Sequence, residues 1–145
     1  MKIESFELDH TRVAAPYVRK AGFYRGKRGD LITKFDLRFM QPNKGEIPTA
    51  AVHTIEHLLA GYLREELDEI IDVSPMGCRT GFYMTIWGDL SADEVEAALV
   101  KALVKVAATN EVPAVNEIQC GNYRDHSLFS AQEYAKLVIE GLKRI

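Results

Sequence analysis

The chain has 145 residues, 47% hydrophobic and 27% charged, and residues 1–145 read as a single domain long enough for a proper core. A formal net charge of -3 with scattered basic residues excludes a nucleic-acid footprint and favours a small-molecule or protein partner. The opening M-K-I-E-S-F-E-L-D-H carries acids where a signal peptide needs an apolar run, and no stretch approaches membrane-spanning length. A cytoplasmic protein with no membrane contact is expected.

In chain order, Y-V-R-K-A-G-F-Y and L-I-T-K-F-D-L-R-F flank the turn-like G-K-R-G-D and predict an antiparallel hairpin from Tyr17 to Phe39. Leu31, Thr33, Phe35, Leu37 and Phe39 alternate with Ile32, Lys34, Asp36 and Arg38, so one face packs and the other carries charge, with Asp36 and Arg38 projecting together from it. The loop Q-P-N-K-G-E-I-P ends at Pro48, a suitable first helical residue, and opens a helix to about Leu67. Next comes the β-rich I-I-D-V-S-P-M-G-C-R-T-G-F-Y-M-T-I-W, interrupted at P-M-G. Ser91 and Glu94 form a capping-box signature for a helix through about Ala108. N-E-V-P-A-V-N-E-I-Q-C-G reads as irregular or short strand, and Ser130 with Glu133 predicts the cap of a final helix. This order predicts an α+β fold, an antiparallel β-sheet with helices packed on one face as a two-layer sandwich.

Chemistry concentrates in H-T-I-E-H, from His53 to His57. At the helical period Val52, Ile55, Leu59, Tyr62 and Leu63 form an apolar stripe, while His53, Glu56 and His57 share an adjacent one with small Ala60. Imidazoles at i and i+4 reach one ion, and Glu56 stands beside it, free to move protons. H-x-x-E-H is also the inverted zincin pattern, so a metallopeptidase with a downstream acidic ligand such as Glu133 is the alternative enzyme, and a non-enzymatic zinc module a third reading. The chain has two cysteines and needs no disulfide to fold, which leaves both as free thiols in a reducing compartment. Cys120, before Gly121, looks like a ligand position, and Cys78, between glycines and beside Arg79, looks like a reactive thiol; a small buried hydrophobe is the plain alternative for each. Fourth ligand, substrate contact and surface residue all stay open for His10 and His126, since spacing does not decide; for His126, at a helix start, a surface or local capping role is expected.

Five ordered stretches, E-S-F-E-L-D-H-T, F-D-L-R-F-M-Q-P-N, H-T-I-E-H-L-L-A-G, S-P-M-G-C-R-T-G-F-Y and Q-C-G-N-Y-R-D-H-S-L, together resemble the S-ribosylhomocysteine lyase (LuxS) family, which makes the autoinducer-2 precursor. The link before S-P-M-G-C is compact and the tail after Leu142 short, departures expected to leave the site intact. The resemblance implies cleavage of the S-ribosylhomocysteine thioether to homocysteine and 4,5-dihydroxy-2,3-pentanedione by carbonyl migration and β-elimination. It implies that His53, His57 and Cys120 bind a divalent metal, iron(II) natively with zinc or cobalt able to substitute, and that Cys78 and Glu56 form the acid/base pair. It further implies substrate contacts from Ser5, His10, Arg38 and Asp72, and a homodimer whose interfacial active sites are each built from two chains.

Overall fold

A computed structural model describes residues 2–143; the last two residues of the short tail lie outside them. After a four-residue helix, α1 (Glu4–Glu7), come strands β1 (Tyr17–Arg25) and β2 (Leu31–Arg38), helix α2 (Thr49–Glu66), strands β3 (Ile70–Pro75) and β4 (Gly81–Trp87), and helices α3 (Ala92–Ala108) and α4 (Leu128–Lys143). The strands form one antiparallel sheet in the order β1-β2-β4-β3. The first hairpin is the one expected, and the β-rich stretch interrupted at P-M-G resolves into a second, β3 paired with β4. The second turns through P-M-G-C-R-T, where Met76 N–H bonds the Gly81 carbonyl and Arg79 takes a left-handed φ of 59°, leaving Cys78 exposed at the tip. Gly81 then approaches the Leu37 carbonyl so closely that a Cβ there would collide with β2.

Helices cover one face of this sheet, giving the expected α+β sandwich. Helix α2 lies against β3, α3 against β1, and α4 is layered on both helices. The alternation in β2 sends Phe35 and Leu37 inward beside Phe82, Met84 and Ile86 of β4, where they meet Ile55, Leu59 and Leu63 of α2 and Leu99 and Leu103 of α3. Burying each such side chain contributes about 1.5–3 kcal/mol. No helix among the described residues is long and apolar enough to cross a membrane.

The structure refines two local expectations and corrects a third. Asp36 and Arg38 do project together from the charged side of β2, and that side is buried, Asp36 0% and Arg38 2% exposed. Arg19 on β1 and Tyr17 also reach the Asp36 carboxylate, and Glu4 of the N-terminal segment pairs with Arg19, so distant chain closes over this side of the strand. Helix α4 begins before Ser130, and its cap is the Ser127 hydroxyl, which accepts the Ser130 N–H at 3.1 Å. The stretch from 109 to 127 takes the irregular of its two expected forms, and two of its carbonyls, those of Pro113 and Asp125, accept from side chains of α2.

Candidate functional site

Helix α2 presents His53 and His57 one turn apart, and each ring is backed by a main-chain oxygen. His53 donates Nδ1–H to the Asp125 carbonyl (2.8 Å), and His57 donates Nδ1–H to the Pro113 carbonyl (2.9 Å). A carbonyl only accepts, so the proton sits on Nδ1 and the Nε2 lone pair is free in both rings. These lone pairs point to Cys120, whose Sγ is 3.4 Å from His53 Nε2 and 3.7 Å from His57 Nε2. A tetrahedral ion with ordinary bond lengths to sulfur and imidazole nitrogen puts those ligand atoms about 3.5 Å apart. The donor set therefore fits a divalent transition metal.

His126 departs from its expected surface or capping role. Its Nε2 lies 3.8 Å from the same sulfur, and the ligand atoms of His53, His57, Cys120 and His126 all fall within 4.8 Å of one another. Burial, reinforced by repulsion from His53 and His57, lowers its pKa below the usual imidazole value and favours the neutral ring. Sequence reasoning missed His126 because nothing in R-D-H-S-L says that the chain folds back onto α2. The anchor is Thr54, a buried mid-helix hydroxyl bonded both to His126 Nδ1 and to the Ser127 N–H.

The remaining candidates separate into two cavities that share no lining residue. One, of about 1060 Å³, runs beside the cluster and is lined by Glu56, His57, Ala60, Arg64 and Asp72 among others. Glu56 is half-buried there, one residue from His57, and Asp72 projects from β3 while accepting the Ser74 hydroxyl. The other, of about 460 Å³, brings together Ser5, His10, Arg38, Cys78 and Tyr83. His10 donates Nδ1–H to the Leu8 carbonyl and keeps Nε2 as an acceptor. Glu133, the acidic ligand a peptidase would need, is exposed on α4 near Lys136 and outside the cluster.

Arg38 is locked in place. Its Nε and Nη2 donate to the two oxygens of Asp36 (3.0 and 2.9 Å), a bidentate fork, and its Nη1 donates to Thr80 Oγ1 (3.2 Å). Burial works against its charge, but the Asp36 carboxylate prevails and raises the guanidinium pKa. Thr80 Oγ1 in turn lies 3.1 Å from Cys78 Sγ, so the thiol sits at the end of a chain that starts at a buried carboxylate. Burial and the Asp36 charge raise the Tyr83 phenol, which stays protonated near neutrality.

The family model described as S-Ribosylhomocysteinase (LuxS) matches residues 3–145. Relatives named S-ribosylhomocysteine lyase include one from Clostridium botulinum (strain Alaska E43 / Type E3), 62% identical over 96% of this chain and 92% of its own length. One from Enterococcus faecalis (strain ATCC 700802 / V583) is 59% identical over 96% and 91%. A third, from Clostridioides difficile (strain 630), is 58% identical over 96% and 92%.

Proposed function

Because the chain belongs to the S-ribosylhomocysteinase (LuxS) family and is a carbon–sulfur lyase of that kind, we propose that it cleaves S-ribosylhomocysteine to homocysteine and 4,5-dihydroxy-2,3-pentanedione. The observation that carries this reading is the convergence of two carbonyl-backed imidazoles and one thiol on a single point beside a large cavity. His53, His57 and Cys120 would hold the divalent ion, iron(II) in the working enzyme with zinc or cobalt as substitutes; the mixed nitrogen and sulfur donors suit all three. Bound there, the ion supplies Lewis-acid stabilisation of the charge that develops on oxygen when a neighbouring carbon loses its proton.

The chain's own residues do the proton work. Moving the ribose carbonyl along the sugar requires a proton to leave one carbon and another to arrive at its neighbour, with no net oxidation. Two bases serve this better than one, because the carbons differ in position. Glu56, on the helix beside the ligands, takes one role and Cys78 the other. In the last step a proton leaves carbon, the carbon–sulfur bond breaks, and the electron pair departs with the sulfur of homocysteine. Ser5, His10 and Arg38 are the groups proposed to orient the sugar hydroxyls and carbonyl, and Asp72 to meet the amino-acid end.

Cys78, Ser5, His10 and Arg38 share one cavity while Glu56, His57 and Asp72 share another. That division supports a homodimer in which one chain's thiol cavity faces its partner's ion, so that each site is built from two chains. We place this enzyme in the cytoplasm, where free thiols persist. Incubation with S-ribosylhomocysteine and a thiol-reactive dye is expected to show free homocysteine at catalytic rates, with casein left intact. Casein cleavage without thiol release would point to peptidase chemistry instead.

A further inference from the structure

Three imidazoles crowd one sulfur, and their rings are arranged unequally. His53 and His57 meet edge to face, centroids 4.7 Å and planes 86° apart, so their in-plane lone pairs converge. His126 is stacked on His53, centroids 3.9 Å apart and planes 25° from parallel. An ion lies in the plane of each imidazole that binds it, about 2.0–2.1 Å from the nitrogen. Two stacked rings do not share such a point, so only one of His53 and His126 fits beside His57 and Cys120.

The groups behind the rings decide between them. His53 faces a carbonyl and therefore carries its proton on Nδ1, with Nε2 free to ligate. His126 faces Thr54 Oγ1 at 2.8 Å, a fully buried hydroxyl that already accepts the Ser127 N–H at 3.0 Å. Among the described residues the hydroxyl proton has one acceptor, His126 Nδ1. Were Nδ1 the donor, the threonine proton would be buried without a partner, which is costly. Thr54 thus fixes the ring with its hydrogen on Nε2, the nitrogen that faces Cys120.

We propose that His126 is a positioning residue: held by Thr54 as the Nε2–H tautomer, it donates that hydrogen to Cys120 Sγ and leaves His53, His57 and Cys120 as the three protein ligands, with a fourth position open for a substrate oxygen. The inference rests on the reading of those three residues as ligands. The N–H···S bond draws charge from the thiolate, which then neutralises less of the cation it holds. It also adds a second N–H donor to the sulfur beside the Asn122 amide at 3.5 Å, and so helps fix the sulfur's direction.

Zinc-loaded protein carrying isotope-labelled histidine, read by two-bond proton–nitrogen correlation, separates the tautomers. The expected result is one zinc per chain, with hydrogen on Nδ1 in His53 and His57 and on Nε2 in His126. Hydrogen on His126 Nδ1, with its Nε2 bound to zinc, overturns this inference and leaves metal binding itself standing; failure to take up zinc overturns the ligand reading and this one together. In cobalt-substituted protein, His126→Phe removes the donor and keeps the stacked ring. Its four-coordinate visible bands are expected to persist while the thiolate-to-cobalt charge-transfer band moves to lower energy and affinity falls about 10–100-fold. His126→Gln, which retains an N–H, is expected to bring the band back. A changed coordination number, or a band that does not move, overturns the proposal; should the phenylalanine variant fail to fold, the tautomer of the unsubstituted chain still decides.

Discussion

Cys120 holds its sulfur 3.4 Å from His53 Nε2, whereas Cys78 Sγ lies in the other cavity, 3.1 Å from Thr80 Oγ1, and replacing each by alanine removes a different thing. Cys120→Ala deletes a proposed ligand, so metal content and turnover are expected to fall together. Cys78→Ala leaves the proposed ligands in place, so metal is expected to stay while turnover drops about 10²–10⁴-fold, the usual worth of a positioned proton-transfer group. Metal analysis beside thiol release checks both; a Cys78→Ala protein that loses its metal would reverse the assignment. Both thiols stood out in the sequence because cysteine is rare in this chain and each sits beside a glycine. Thr80 and Thr54 did not, since a threonine's importance here comes from what reaches its hydroxyl across 42 residues for Arg38 and 72 for His126.

Among the elements, the two late helices show where local pattern suffices. Ser91 and Glu94 make a reciprocal capping box at α3, as their spacing predicts, because both partners lie within one turn. At α4 the same spacing at Ser130 and Glu133 is misleading. The helix start is fixed by bonds from Thr54 to His126 and Ser127, which no local signature contains, and these make Ser127 the cap. Ser127→Ala is expected to lower stability by about 1 kcal/mol, and Ser130→Ala to stay within about 0.5 kcal/mol of the parent. Urea melts compare them; equal losses would return the cap to Ser130. Strand β2 shows the same boundary: its alternation was legible, but the burial of Asp36 and Arg38 depends on Arg19 and Glu4, which are remote in sequence.

For the molecule as a whole, two cavities with separate halves of the proposed chemistry imply a specific behaviour in mixtures. If each working site takes Cys78 from one chain and the ion from the other, homodimers of Cys78→Ala and of Cys120→Ala are both dead. Unfolding and refolding them together in equal amounts gives half mixed dimers, each with one intact site. Activity is then expected to return to about a quarter of the parent's. No recovery, with mixed dimers verified by mass, would place both halves of the site within one chain. The stretch from 109 to 127 bears on a different kind of tolerance. It buttresses the histidines through the carbonyls of Pro113 and Asp125, and a carbonyl is the same atom whatever side chain follows it. Its contribution is thus written in spacing: the letters at 113 and 125 are free to change as far as these two bonds are concerned. Removing one residue between them would swing an oxygen off its imidazole and unseat a proposed ligand from behind.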